Sequence, residues 1–295
     1  MIVVTVFAMA LADAIVKKAS ADMTLWQIYV LRSALVLPAL LGLAHGALRT
    51  GPLPWILLRS LALTLMYLAI YAAIPWLQLS VVAASLYTGP LFIVGLSALW
   101  LDEPITGRQW TAIVIGFAGM LLVVQPSAAG FKPWALLPVA AAGLYALAAV
   151  ITRARCQHVP ASVLAFWLNT TLLLSGLSAS LALEYAETTL ARDYPFVLSA
   201  WQPMTFADGQ IIVVLALLML GISLGLARAY QSPRPQVIAT FDYSFLIFAA
   251  FWGFVLFGEL PNRWTLLGMG LIALAGGGVL IDTRRIEQPA RVGTD

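Results

Sequence analysis

Charged residues are scarce in this sequence: Asp, Glu, Lys and Arg make up only 10% of its 295 residues, whereas 62% are hydrophobic. A soluble domain normally carries about 25% charged residues. So much apolar surface cannot be buried inside one water-soluble globule, and lipid must cover part of it. The hydrophobic stretches fill the whole chain, which excludes a soluble protein preceded by a single signal peptide. The sequence therefore predicts a multi-span membrane protein.

Cysteine and the familiar catalytic motifs are also missing. Cys156 is the single cysteine, which excludes an intramolecular disulfide and a Cys/His metal site. His45 and His158 lie at segment ends and are interpreted as solvated loop residues. The chain contains no HExxH, no GxSxG, no acidic metal motif and no phosphate-binding loop. We therefore predict no metal, no cofactor and no enzymatic activity, and a polytopic membrane enzyme is the remote alternative.

Ten hydrophobic stretches approach the length of roughly 20 residues that an α-helix needs to cross a bilayer. They are residues 1–16, 25–44, 53–73, 79–101, 110–124, 134–151, 161–183, 210–227, 237–257 and 264–281. The connection over residues 184–209 is long and contains more acids than bases, so it is predicted to be an external loop with a short surface helix. The predicted fold class is an all-α integral membrane protein with ten transmembrane helices.

The positions of Lys and Arg predict the orientation of the chain. With a cytoplasmic N-terminus, ten basic residues fall on the cytoplasmic side and five outside, as the positive-inside rule requires. The cytoplasmic set is Arg49, Arg59, Arg108, Arg153, Arg155, Arg228, Arg234, Arg284, Arg285 and Arg291, and the external set is Lys17, Lys18, Lys132, Arg192 and Arg263. We predict a multi-pass protein of the bacterial inner membrane with both termini in the cytoplasm. The net charge of +3 forms no basic stripe with interleaved aromatics, so nucleic acid is not a predicted partner.

A match of the sequence to itself at an offset of 156 residues indicates an internal duplication. Residues 81–103 align without gaps onto residues 237–259. The identical pairs are Val81/Val237, Ala83/Ala239, Tyr87/Tyr243, Phe92/Phe248 and Glu103/Glu259. Chance similarity between two apolar stretches is the alternative, but it is less able to place Tyr, Phe and Glu in register.

The duplicated unit contains an odd number of helices, so its second copy must enter the membrane from the opposite face. We predict a first five-helix repeat over residues 1–126, a second over residues 127–283, and a cytoplasmic tail over residues 284–295. Inverted repeats are an architecture of secondary transporters, in which two halves exchange conformations around a central site. The sequence therefore predicts a transporter that works by alternating access.

The repeated segments resemble the EamA-type branch of the drug/metabolite transporter superfamily. The second copy reads Phe257-Gly258-Glu259, and the first reads Leu101-Asp102-Glu103 with aspartate where that branch usually has glycine. Similar segments elsewhere are residues 239–243 (ATFDY), 13–17 (DAIVK), 26–28 (WQI) and Arg32. The resemblance spans residues 1–283 and implies ten helices that import or export small organic metabolites. Characterised branches include exporters of amino acids, some of them aromatic, and importers of nucleoside-like or vitamin-like solutes such as S-adenosylmethionine or riboflavin.

Charged residues inside the stretches are candidates for substrate binding, because a charge at the bilayer centre costs about 2.5–3.5 kcal/mol and is usually functional or paired. Asp13 and Lys17 share one helical face. They either form an intrahelical salt bridge or meet the ammonium and carboxylate of an amino acid. Arg32 either binds a substrate carboxylate or pairs with Asp13. Asp242 is a candidate proton carrier, unless Arg234 neutralises it.

Two further groups of residues complete the prediction. Glu103 and Glu259 are interpreted as caps of the helix that follows each of them or of its backbone. Aromatic residues away from the stretch ends are candidates for a cavity wall, with helix packing or lipid contact as the alternative. They are Tyr67, Tyr71, Tyr87, Trp100, Tyr145, Trp167, Tyr230 and Tyr243.

Many aromatics and few charges of both signs suit a zwitterion with an apolar side chain. The sequence therefore predicts export of neutral, including aromatic, amino acids or similar small metabolites. Import of a nucleoside-like or vitamin-like metabolite is the alternative. Proton coupling and the oligomeric state are left open, with a monomer as the simplest assembly.

Overall fold

The chain is described by a computed structural model that covers residues 2–48, 50–100, 107–125, 133–185, 191–230 and 244–287. Within these ranges the regular structure is entirely helical. The α-helices are α1 (Ile2–Ala19), α2 (Leu25–Leu43), α3 (Leu53–Ala73), α4 (Leu79–Leu86), α5 (Gly89–Trp100), α6 (Gly107–Val124), α7 (Leu136–Arg155), α8 (Ala161–Tyr185), α9 (Pro195–Leu198), α10 (Phe206–Tyr230), α11 (Ser244–Phe257) and α12 (Arg263–Glu287). A 3₁₀ turn, Pro133–Ala135, precedes α7.

The predicted hydrophobic stretches correspond to these helices, and the all-α membrane fold is confirmed. Five helical segments in the described part of the chain are long and apolar enough to cross a membrane, namely Leu25–Leu43, Leu53–Ala73, Leu79–Trp100, Pro133–Arg155 and Ala161–Tyr185. Four shorter apolar segments are Trp110–Val124, Phe206–Ile222, Ser244–Phe257 and Arg263–Ala275. The fourth predicted stretch is one span by composition, but its helix is interrupted between α4 and α5, just before Pro90.

The long connection after α8 is anchored on the start of α2. Thr24 and Gln27 form a capping box at this end of α2, which satisfies backbone N–H groups that the helix itself cannot pair. The buried Gln27 amide also donates to the carbonyl oxygen of Gln202 at 2.7 Å, and the Trp26 indole donates to the carbonyl of Val197 at 2.7 Å. The predicted short helix of this connection is therefore present as α9 and is docked on the bundle.

Helices of the N-terminal part pack mainly on helices of the C-terminal part. The pairs are α1 with α10 and α11, α2 with α8 and α10, α3 with α7 and α8, α4 with α7 and α11, α5 with α7, and α6 with α12. The main hydrophobic core lies between these pairs and draws side chains from both ends of the sequence.

The crossing of α6 and α12 brings two glycines into backbone contact. A Cβ atom on Gly119 would lie 2.9 Å from the Gly268 carbonyl oxygen, and one on Gly268 would lie 2.6 Å from the Gly119 carbonyl oxygen. Small residues allow membrane helices to approach this closely. Gly119 and Gly268 therefore allow α6 and α12 to pack closely against each other.

Gly119→Ala is expected to lower the stability of the purified protein by about 1–3 kcal/mol, because the new methyl group meets backbone atoms that cannot move aside. Thermal unfolding in detergent measures the change. Gly143→Ala on α7 is the matched control, since its Cβ would meet nothing within 4 Å and alanine favours a helix by up to about 1 kcal/mol. Equal midpoints for the two variants would contradict the close crossing.

Candidate functional site

Five residues from three helices form a polar cluster within the bundle. Asp13 comes from α1, Tyr29 and Arg32 from α2, and Tyr67 and Tyr71 from α3; these residues are called the Arg32 cluster below. The Tyr71 hydroxyl donates to Asp13 Oδ1 at 3.4 Å. The rings of Tyr67 and Tyr71 are stacked with centroids 5.8 Å apart, and Tyr29 meets Tyr71 at 6.2 Å. The cluster thus combines one anion, one cation and three phenols.

Arg32 is the most deeply buried charge of this cluster, with 2% of its surface exposed. Its guanidinium lies over the Tyr29 ring at 5.9 Å and interacts with the Tyr71 hydroxyl. The Nε and Nη2 atoms of Arg32 have no hydrogen-bond partner in the part of the chain that the structure describes. The buried Tyr29 hydroxyl also lacks a partner there. Buried guanidinium donors without partners are costly, so this group is suited to a ligand with acceptor oxygens.

The predicted pairing of Arg32 with Asp13 is not a direct ion pair. The charges of Arg32 and Asp13 interact through space, but the two side chains do not form an ion pair within 4.0 Å. The ion pair found among the described residues joins Lys17 and Glu259. The Tyr71 hydroxyl instead fills the position next to the Asp13 carboxylate. Arg32 therefore keeps donors that a bidentate salt bridge would have used.

An intrahelical salt bridge was one of the two alternatives for Asp13 and Lys17, and Lys17 does not form it. Lys17 Nζ instead donates to Glu259 Oε1 and to the carbonyl oxygen of Leu77, and it lies 5.1 Å from the centre of the Phe257 ring. A partner from a distant part of the chain is available because α1 packs on α11. Lys17 therefore joins α1 to the end of α11 rather than neutralising Asp13.

Glu259 caps a helix, but not the one that follows it in sequence. Its Oε2 accepts a hydrogen bond from the backbone N–H of Leu79 at 2.9 Å, at the start of α4. The first turn of α12 is capped by Asn262, whose side-chain oxygen accepts from Thr265 N–H at 2.8 Å. The prediction of a capping role was right, and the identity of the capped helix was wrong because α11 ends beside α4. Glu103 lies outside the described residues.

The other predicted aromatic residues lie elsewhere in the bundle. Tyr87, which ends α4, stacks on Phe245 of α11 at 5.8 Å. Trp100 is 42% exposed and contacts Trp55 at 6.1 Å. Trp167 packs on its neighbour in sequence, Phe166, at 5.7 Å.

Tyr145 is 44% exposed on α7 and faces Gly89 at the start of α5. Tyr230 ends α10, but its side chain lies outside the described residues, as do Asp242 and Tyr243. Of the predicted site residues, the structure therefore brings together Asp13, Arg32, Tyr67 and Tyr71.

Tyr29 and Arg59 were missed by the sequence prediction. Arg59 was counted as a cytoplasmic loop residue, but it lies inside α3 and its Nε donates to the Thr152 hydroxyl of α7 at 2.7 Å. Tyr29 lies one turn before Arg32 in α2 and was not singled out among the aromatic residues of the sequence. The spacing of Tyr29 and Arg32 on one face of α2 was the feature that could have identified Tyr29.

Cys156 lies in the connection between α7 and α8, but it is not available on a loop surface. It is 1% exposed and packs with Ala44, Ile56, Val159 and Val163. Burial raises the pKa of the Cys156 thiol, and the positive charge of Arg59 opposes this shift. Less thiolate forms at neutral pH, so alkylation of the native cysteine is expected to be slow.

The predicted cytoplasmic position of this connection is testable at the neighbouring residue, Gln157, which is exposed. In a Cys156→Ala background, Gln157→Cys is expected to react with a membrane-impermeant maleimide in inverted vesicles and not in intact cells. Asp193→Cys, exposed in the connection before α9, is the control and should react in the opposite pattern. Labelling of the Gln157→Cys protein in intact cells would overturn the predicted orientation.

Comparison with known proteins agrees with this architecture. Residues 1–125 match the EamA-like transporter family. A pseudopaline exporter of Pseudomonas aeruginosa is 25% identical over 274 residues, which cover 91% of this chain and 90% of that protein. A riboflavin transporter of Vibrio cholerae is 28% identical over 260 residues, covering 84% and 78%. An S-adenosylmethionine uptake transporter of Rickettsia bellii is 24% identical over 183 residues, covering 62% and 57%.

A solved crystal structure has the same fold, with a TM-score of 0.60 and 16% identity over 97% of this chain and 99% of that one. The helical bundle and the named relatives define a multi-pass membrane protein of the transporter class. The match of residues 1–125 to the EamA-like transporter family agrees with the resemblance seen in the sequence, and the similar full-length relatives are themselves transporters. The relatives carry different substrates, so the family leaves the substrate of this chain open.

Proposed function

We propose that this protein is a secondary transporter that exports neutral amino acids, including aromatic ones, or similar small metabolites across the inner membrane by alternating access. The observation that carries the proposal is the buried Arg32 guanidinium, whose Nε and Nη2 have no partner in the described part of the chain. A planar guanidinium fork matches a carboxylate in a bidentate geometry. Arg32 would therefore hold the substrate carboxylate.

The rest of the Arg32 cluster suits the other end of such a molecule. Among the described residues, Asp13 accepts a hydrogen bond from one neutral phenol, at 3.4 Å. Its carboxylate therefore has further acceptor sites for a substrate ammonium group. Tyr29, Tyr67 and Tyr71 supply aromatic faces beside both charges. An apolar or aromatic side chain would lie against these rings.

Alternating access is supported by the pattern of helix pairing. If the two predicted repeats correspond in order, α1 matches α7, α2 matches α8 and α3 matches α10. The repeat symmetry then converts the contact of α1 with α10 into the contact of α3 with α7, and both are present. It likewise converts the contact of α2 with α10 into the contact of α3 with α8, and both are present. This reciprocity is what a two-fold axis in the membrane plane produces.

The glycine crossing of α6 and α12 has the same symmetry. At the predicted offset, Gly119 corresponds to Ala275 and Gly268 corresponds to Ala112. The pair Gly119 and Gly268 is in contact, and Ala112 and Ala275 are packed in one buried cluster. The family match to residues 1–125 also ends beside the proposed repeat boundary at residue 126.

A vitamin-like substrate is the second candidate, and one observation favours it. The chain is 28% identical to a riboflavin transporter over 84% of its length, and three tyrosines beside Arg32 could stack on a planar ring. An amino acid is preferred because the cluster holds charges of both signs, which match a zwitterion. Proton coupling through Asp242 stays a prediction, since that residue lies outside the described ranges.

Counterflow in proteoliposomes tests the proposal. Vesicles are loaded with unlabelled phenylalanine, tryptophan, leucine, threonine, riboflavin or S-adenosylmethionine. Entry of labelled phenylalanine, and of labelled riboflavin in parallel vesicles, is followed with and without a proton gradient. We expect the amino acids to drive exchange and liposomes without protein to show none. If labelled riboflavin exchanges while labelled phenylalanine does not enter in any condition, the amino-acid proposal is wrong and the vitamin alternative replaces it.

A further inference from the structure

Arg59 is a second cation inside the bundle, and it lies about two turns of α3 before Tyr67 of the Arg32 cluster. It lies on the second turn of α3 and is only partly exposed. Its Nε donates to the hydroxyl of Thr152 at 2.7 Å. The Thr152 hydroxyl donates its own hydrogen to the carbonyl oxygen of Ala148 at 2.7 Å. Its oxygen is therefore the acceptor of the hydrogen bond from Arg59. The side chain is thus held in one orientation between α3 and α7.

No acidic residue in the described part of the chain neutralises Arg59. The groups that interact with it electrostatically are Cys156, Tyr145 and Tyr67, and none of these is a carboxylate. Nη1 is shielded from solvent and has no hydrogen-bond partner among the described residues. An unpaired guanidinium within a membrane helix is expensive and is retained mainly where it serves a function.

A row of tyrosines connects Arg59 with the Arg32 cluster. Tyr67 follows Arg59 by two turns of α3, a rise of about 12 Å, and it interacts with Arg32, Asp13 and Arg59. Helices α3 and α7 run antiparallel, because Trp76, just after the end of α3, stacks on Trp134, just before the start of α7. Tyr145, about 10 Å before Thr152 along α7, therefore lies near the level of Tyr67.

We propose that Arg59, oriented by Thr152, is a second carboxylate-binding subsite, through which the substrate passes on its way between the Arg32 cluster and the N-terminal end of α3. This inference rests on the proposed function, because it takes the substrate to carry a carboxylate. Because Arg59 lies about 12 Å along α3 from Tyr67 of the Arg32 cluster, a small carboxylate would meet the two guanidinium groups one after the other. They act in sequence, with the phenols between them lining the path.

The carboxylate site is tested by ligand-dependent thermal unfolding of the purified protein in detergent. Benzoate is the probe, and benzamide is its neutral counterpart. A ligand that binds the folded state raises the unfolding midpoint. We expect benzoate, and not benzamide, to raise the midpoint of the wild-type protein. The Arg32→Gln variant should keep part of this shift, and the combined Arg32→Gln and Arg59→Gln variant should lose it.

Further variants protect the test against a folding defect and against nonspecific charge effects. Arg59→Lys in the Arg32→Gln background keeps the cation and should keep a benzoate shift. Thr152→Val in that background removes the acceptor that orients Arg59 and should weaken benzoate affinity by about threefold or more. Lys18→Gln removes an exposed cation and should leave the benzoate response unchanged.

Transport kinetics provide a second readout. For phenylalanine counterflow, Arg59→Gln is expected to raise KM about tenfold with Vmax within about twofold of wild type, the loss expected for one charge-assisted hydrogen bond. A purely structural role would lower the amount of folded protein and Vmax instead, with KM unchanged.

Two results would overturn the subsite. In one, Arg32→Gln alone abolishes the benzoate shift; in the other, the combined variant is stabilised as strongly as Arg32→Gln. The benzoate measurement does not need transport, so it decides the role of Arg59 even if no amino acid drives counterflow. A failure of every amino acid to drive counterflow would refute the proposed function, but it would not contradict the carboxylate subsite at Arg59.

Discussion

Arg32→Gln is expected to reduce transport by about tenfold or more, while the folded protein stays as stable as the wild type or becomes more stable. The two effects have one cause. The guanidinium is 2% exposed and two of its nitrogens have no partner in the described part of the chain, so its burial costs free energy that the resting protein does not recover. The substrate carboxylate would recover it, and a charge-assisted hydrogen bond contributes about 1.5–3 kcal/mol.

Counterflow and thermal unfolding of the same preparation separate function from folding. Asp13→Asn combined with Arg32→Gln is the informative companion. If Arg32 serves mainly to balance Asp13, the single variant should unfold more easily, and the double variant should recover, because a buried charge left alone costs about 3–5 kcal/mol. Loss of stability in Arg32→Gln that the double variant repairs would therefore contradict a binding role. Lys18→Gln, an exposed charge change near the end of α1, should leave both readouts unchanged.

The fold was largely predictable because lipid imposes a simple rule on the sequence. Each helix must be long enough to cross the bilayer and must satisfy its own backbone. That rule located α2, α3 and α8 to within two residues at each end. It does not account for the interruption between α4 and α5, which comes just before Pro90, a residue type that can break a helix. Hydropathy indicates whether lipid or water surrounds a helix, but it does not indicate where the helix is interrupted.

The partners of charged residues were less predictable, because they depend on which helices meet. Lys17 is one turn from Asp13, yet it pairs with Glu259, more than two hundred residues away. Arg59 lies near the start of a hydrophobic stretch, where snorkelling toward the interface is the ordinary expectation. The packing of α3 on α7 turns it toward Thr152 instead. A list of intramembrane charges gives the candidates, and only tertiary contacts assign their roles.

Glu259→Ala is expected to lower the free energy of unfolding by about 3–5 kcal/mol, by analogy with broken buried ion pairs. One carboxylate oxygen accepts from Lys17, and the other accepts from the N–H of Leu79 at 2.9 Å. Alanine removes both contacts, so it leaves the ammonium without its anion and the start of α4 without its cap. The two side chains are only 10% and 16% exposed, which limits how far water can replace either contact.

A graded series separates these two contacts. Glu259→Gln keeps an oxygen that can accept from Leu79, so it should be less damaging than Glu259→Ala. Adding Lys17→Gln removes the unpaired ammonium, and the double variant should recover part of the loss, with a coupling energy of about 1 kcal/mol or more. Thermal unfolding in detergent compares Glu259→Ala, Glu259→Gln, Lys17→Gln and the double variant with the wild type. Additive effects of the two glutamine substitutions would exclude a direct interaction between these residues.

The same pair is expected to control access from its end of the bundle. Lys17 and Glu259 tie α1 to the end of α11 and to the connection between α3 and α4, so a transporter that alternates must release this tie when that end opens. With Tyr67→Cys as a reporter in the Cys156→Ala background, a membrane-impermeant thiol reagent added to intact cells should react about threefold faster in Glu259→Gln. Gln78→Ala removes the weak 3.4 Å bond to the Leu260 carbonyl at the same end and should not change the rate. An unchanged rate in Glu259→Gln, with stability reduced, would make the ion pair a fixed structural contact rather than one that opens during transport.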